Sequence, residues 1–121
     1  SLNMTWNEYI SDIIKIIINI NKTSISEKII LDIRSILYKV FITNIPGIKI
    51  IKEFMNQFMQ SDLNNNIKTE ILKIISIYEY RISCGKRCII HLEACLYNIM
   101  DMIFYYNRIK KTNISSQKRI S

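Results

Sequence analysis

Three thiols and the chain's only imidazole fall within one short stretch, YEYRISCGKRCIIHLEAC, as Cys84, Cys88, His91 and Cys95. Thiolates and an imidazole can hold zinc, and a thiol beside an imidazole can act as a nucleophile. The spacing C-x3-C-x2-H-x3-C argues against the metal. Cys88, His91 and Cys95 stand at i, i+3 and i+7 of one helical face, spread over roughly 10 Å of axis at 1.5 Å per residue. One ion cannot reach all of them at zinc–ligand distances of about 2.0–2.3 Å without distorting the helix. Cysteine is also among the residues most often buried as a small apolar group. The thiols therefore read as packing groups, and no metal ligand is assigned.

A Cys–His nucleophile would need His91, since there is no other histidine. Nothing nearby supplies an oxyanion hole or a glycine-rich cradle, so His91 reads as structural, bonded to a carboxylate or carbonyl of a neighbouring helix. No G-x-x-x-x-G-K-[ST] phosphate loop occurs anywhere. No catalytic residue and no cofactor-binding residue is assigned. The remaining polar groups of the stretch, Glu79, Arg81 and Glu93, are expected to form a local network with His91. In it Arg81 would grip a carboxylate in bidentate fashion.

The elements that must position these residues are helices. Trp6, Tyr9, Ile10, Ile13, Ile14, Ile17 and Ile20 repeat at i, i+3, i+4, i+7 behind a T-x-x-E box at Thr5 and Glu8, which predicts a helix over 5–21. An S-x-x-E box at Ser24 and Glu27 opens a second helix reaching about Thr43. Pro46 marks a boundary and can occupy the first turn of a third helix, whose stripe is Ile48, Ile51, Phe54, Met55, Phe58 and Met59. A fourth helix carries Ile67, Ile71, Ile74, Ile75, Tyr78 and Ile82. Gly85 stands just past its end, where a left-handed residue closes a helix. A fifth starts near Lys86 and carries Ile89, Leu92, Leu96, Ile99, Met100, Ile103 and Tyr106. The expected fold is all-α, a compact five-helix bundle over residues 1–111. Residues 112–121 are expected to form a basic, disordered tail.

A chain of 121 residues with two glycines and one proline is most simply one domain, without the turns of a β-sandwich. An odd number of cysteines is no disulfide framework and suits a reducing compartment. No uninterrupted apolar run approaches the roughly 18 residues of a membrane span, so no membrane partner is expected. The Ser-Leu-Asn opening reads as a piece cut from a longer protein, with Ser1 a cloning remnant.

The net charge of +7 is uneven. Residues 1–80 hold nine basic and eight acidic side chains, and residues 81–121 hold eight and two. Lys86, Arg87, Arg108, Lys110 and Lys111 are candidate phosphate contacts. The run through Lys118 and Arg119 reads first as a solvated tail, because no aromatic is interleaved there to stack a base. Ile16, Ile18, Tyr97, Met102, Phe104 and Tyr105 exceed one apolar stripe per helix. They are either inter-subunit surface or a broader core-facing band.

The segment IKTEILKIISIYEYRISCGKRCIIHLEACLYNIM resembles the C-terminal segment of the small subunits of replication factor C, the eukaryotic clamp loader, and most of all subunit three. That family ends a helix in Tyr-Glu-His-Arg, then has Gly, His-Leu-Glu-Ala-Phe and a final Met. Here Tyr78, Glu79, Arg81, Gly85, His91, Leu92, Glu93, Ala94 and Met100 stand at matching spacing. Trp6, Tyr9, Arg34, Leu37, Tyr38 and Pro46 extend the likeness upstream, to about residues 4–106. Tyr80 and Cys95 depart from the pattern's His and Phe.

The resemblance implies a collar domain of a heteropentamer that loads PCNA onto primer–template DNA in the nucleus. Its partners would be the other replication factor C subunits, with PCNA and DNA met through the whole complex. ATP and Mg²⁺ would belong to the AAA+ module of the full-length subunit, so this piece would be no enzyme. The alternative is an independent basic helical module that binds DNA.

Overall fold

The computed structural model describes residues 4–22, 25–85 and 88–120, with side chains placed over 4–20, 25–85 and 88–110. Among the described residues it contains five α-helices and no strand: α1 (Trp6–Ile18), α2 (Glu27–Ile42), α3 (Gly47–Gln60), α4 (Asn65–Ser83) and α5 (Cys88–Ile120). The all-α, five-helix architecture is the expected one. A 3-10 turn, Asn19–Lys22, tightens the end of α1, where the sequence suggests a longer α-helix.

Side-chain caps start three of the helices. Thr5 Oγ1 accepts the Glu8 N–H at 3.3 Å and Asn64 Oδ1 accepts the Ile67 N–H at 2.9 Å. The α2 cap corrects the sequence expectation: it is Ser26, whose Oγ accepts the Ile29 N–H at 3.3 Å, and Ser24 lies outside the described residues. Pro46 is the N-cap of α3 rather than its first helical residue, and its carbonyl takes the Lys49 and Ile50 N–H groups.

Each helix turns one stripe inward, and the stripes meet in a single core. It contains Ile10, Ile13, Ile14 and Ile17 of α1, Ile33, Leu37 and Val40 of α2, and Ile50, Ile51, Phe54 and Phe58 of α3. α4 adds Ile67, Ile71, Ile75, Tyr78 and Ile82, and α5 adds Leu92, Cys95, Leu96, Ile99, Met100 and Ile103. No charged residue is buried among the described residues. Neighbours in sequence pair in space: α1 lies on α2, α3 on α4, and α4 on α5. α1 also packs on α3, and α5 touches both α2 and α3.

Two glycines are required by position. A Cβ on Gly47 would come within 2.7 Å of Cys88 Sγ, so the start of α3 reaches the start of α5 only without a side chain there. Gly85 has φ +95°, the left-handed conformation that ends α4, and its N–H bonds the Ile82 carbonyl at 3.0 Å.

α5 is assigned as helix to Ile120. The part from Cys88 to Lys110 is also apolar and long enough to cross a bilayer, by length and composition alone. The bundle accounts for that apolarity on one side, since Leu92, Cys95, Leu96, Ile99, Met100 and Ile103 are core residues.

Candidate functional site

The α4–α5 joint is where the sequence concentrates its polar and sulfur-bearing groups. Cys84 caps α4 and is exposed, Cys88 opens α5 and is half-buried against Gly47, and Cys95 is fully buried. The three thiols thus occupy three different environments. No three His, Cys, Asp or Glu side chains converge as a cation site among the described residues. Burial pushes the Cys95 thiol up to about 12, so it stays protonated and apolar at neutral pH. Its neighbours Leu92, Leu96 and Ile99 are equally buried.

The polar network differs from the expected one. Arg81 does not grip a carboxylate; its guanidinium lies over the Tyr78 ring, 5.0 Å from the centroid. Tyr78 is buried and its hydroxyl accepts a hydrogen bond from Asn98 Nδ2, which ties the end of α4 to the middle of α5. Glu93 pairs with Arg34 of α2 at 3.5 Å instead. Glu93, with Tyr97 second, raises the Arg34 pKa. The Tyr97 hydroxyl is buried without a hydrogen bond of ordinary geometry, although it sits close enough to favour the Arg34 charge. His91 is half-buried and forms no hydrogen bond or ion pair among the described residues, so it does not fill the expected structural bond. The same holds for Glu79.

Leu92 and Met100 of the motif are core residues, and Ala94 packs on the core's edge. Of the candidate phosphate contacts, Arg108 and Lys110 are exposed, and Arg108 stacks over Phe104 at 5.5 Å. Lys86 and Arg87, and the side chain of Lys111, lie outside the described residues.

The surplus apolar residues divide as well. Ile16, Ile18, Tyr97, Met102 and Phe104 pack against the core as its outer layer. Tyr105 stays 67% exposed. A stripe that the sequence reading passed over lies on α2: Leu31, Tyr38 and Ile42 are 51%, 52% and 79% exposed. At i, i+7 and i+11 they share one side of the helix, away from Ile33, Leu37 and Val40. Their spacing was available as a signal. A second apolar stripe on a helix that already has a core stripe needs a second surface to cover it.

Among its described residues, the joint holds α4 against α5. Its chemistry is hydrophobic packing, one tyrosine–amide bond and a cation–π contact. The described open surface, by contrast, carries apolar and aromatic side chains along α2 and the exposed Arg108 and Lys110 on α5.

A family model described as replication factor C subunit 3, C-terminal domain, matches residues 6–107. A replication factor C subunit 3 of Arabidopsis thaliana is 26% identical over 99 residues, which are 82% of this chain and 27% of that protein. A replication factor C subunit 5 of Oryza sativa subsp. japonica is 27% identical over 99 residues, with the same coverage. The chain therefore spans about a quarter of the length of the curated relatives it matches.

Proposed function

Because the chain belongs to the family of replication factor C subunit 3 C-terminal domains, we propose that it is an assembly domain of a clamp-loader subunit. In this reading it packs side by side with the corresponding domains of other replication factor C subunits in a collar. The collar holds the ATPase modules that load PCNA onto primer–template DNA in the nucleus. ATP, Mg²⁺ and the clamp contact belong to parts of the complex outside this domain, whose own contribution is adhesion rather than catalysis.

The observation that carries the reading is the exposed stripe on α2. Leu31, Tyr38 and Ile42 present apolar surface to water on the far side of a helix whose other side already fills the core. Covering such side chains is worth roughly 25 cal/mol per Å² of apolar area removed from water. Interfaces also concentrate their energy in aromatic anchors of this kind. Arg34 lies one turn along the same helix, half exposed and pre-oriented by Glu93.

The test is co-expression of the full-length subunit with its sister subunits, as wild type and as a Leu31→Ser/Tyr38→Ser/Ile42→Ser variant. These side chains are outside the core, so the variant keeps the helical circular dichroism of the wild type. It is expected to drop out of the co-purifying complex. A variant that assembles in full yield would refute the assignment of this face.

A further inference from the structure

Resting on the assembly reading, we propose that Arg34 selects the partner of the α2 face by receiving a carboxylate from the sister domain that covers it. At about 100° per residue, positions 31, 34, 38 and 42 of α2 fall within about 80° of arc. Arg34 therefore lies in the line of Leu31, Tyr38 and Ile42, all more than half exposed. On α5, Ile90 is exposed as well and stands one turn before Glu93, the ion-pair partner of Arg34. The Arg34–Glu93 pair is thus a polar centre with open apolar side chains on both of its helices.

The two halves of the pair are not equally open. The Glu93 side chain is 17% exposed and the Arg34 side chain 50%. They touch through one nitrogen, Nη2, and one oxygen, Oε2, at 3.5 Å, the outer limit of a hydrogen bond. A guanidinium carries five N–H donors in a planar fork, and a carboxylate takes two of them side by side. Glu93 and Tyr97 both favour the Arg34 charge, and the Tyr97 hydroxyl is itself buried. The fork is therefore held from the bundle side, and the part of it open to solvent is what a partner meets.

Covering the α2 face takes that part of Arg34 out of water. A cation moved into an apolar contact is destabilising unless an anion meets it with hydrogen bonds. One long contact to Glu93 does not fill the fork. The matching surface is an apolar helix face with an aspartate or glutamate in its middle. A wholly apolar face would strand the charge, and a basic one would repel it. Such a pair picks one sister domain among several of the same fold and fixes the register of the contact.

The affinity of the full-length subunit for its reconstituted sister subunits tests the proposal. Arg34→Gln and Glu93→Gln break the same internal pair, so a purely internal role predicts equal effects. The expected result is a loss of at least about thirty-fold for Arg34→Gln and no more than a few-fold for Glu93→Gln. Both variants are checked for unchanged helical circular dichroism. In the assembled complex, carbodiimide treatment of the Arg34→Lys variant is expected to form an amide between residue 34 and an acid of a sister subunit, identified by mass spectrometry. Equal effects of the two glutamine variants overturn the proposal, as does coupling of residue 34 to Glu93 alone. If the Leu31→Ser/Tyr38→Ser/Ile42→Ser variant fails to assemble while Arg34→Gln binds as the wild type does, the face stands and the carboxylate is refuted. Full assembly of the triple variant refutes the face and this proposal with it.

Discussion

Burial decides the chemistry of the sulfur atoms one residue at a time. The Cys95 thiol sits among Leu92, Leu96 and Ile99, and its pKa is pushed up to about 12 by desolvation. In the unfolded chain that thiol ionises near its ordinary value of 9.0. Below pH 9 both states keep the proton and the group contributes no pH dependence. Between about 9 and about 12 the unfolded state loses a proton that the folded state retains, so stability falls as pH rises. Urea titrations at neutral pH and at about pH 10 should show the gap between wild type and Cys95→Ala narrowing at the higher pH. A constant gap would mean the thiol is not shielded. The Arg34–Glu93 pair is a different case. It is half exposed on the arginine side, so solvent screens it and it adds little to domain stability. Its proposed value is in setting the guanidinium's direction beside the α2 stripe.

Helix stripes and caps carry most of what the sequence made legible. The i, i+3, i+4 pattern of Ile10, Ile13, Ile14 and Ile17 forces one face inward wherever it occurs, and all four are buried. The left-handed stop at Gly85 was readable for a similar local reason. The start of α2 was not, because Ser24 and Ser26 both precede an acidic helix start, and among the described residues the cap is Ser26. That difference is measurable. Ser26→Ala is expected to cost about 1 kcal/mol in chemical denaturation, and Ser24→Ala no more than a few tenths. The reverse ranking would return the cap to Ser24. Side-chain partners across helices were the least legible part. That Glu93 meets Arg34 rather than Arg81 depends on how α2 lies against α5, which no local pattern encodes. Tyr105's exposure also depends on where the bundle ends along α5.

At the scale of the molecule, an apolar stripe on α2 stays open after the core has formed. The α2 stripe is apolar and suits permanent burial against a sister domain. The assembly reading rests on that stripe. Hydroxyl-radical footprinting of the full-length subunit, free and within the reconstituted replication factor C complex, tests it most directly. The expected result is strong oxidation of Leu31, Tyr38 and Ile42 in the free subunit and marked protection of all three in the complex. Equal oxidation of these side chains in both states, with the subunit stoichiometrically present in the complex, would contradict the account.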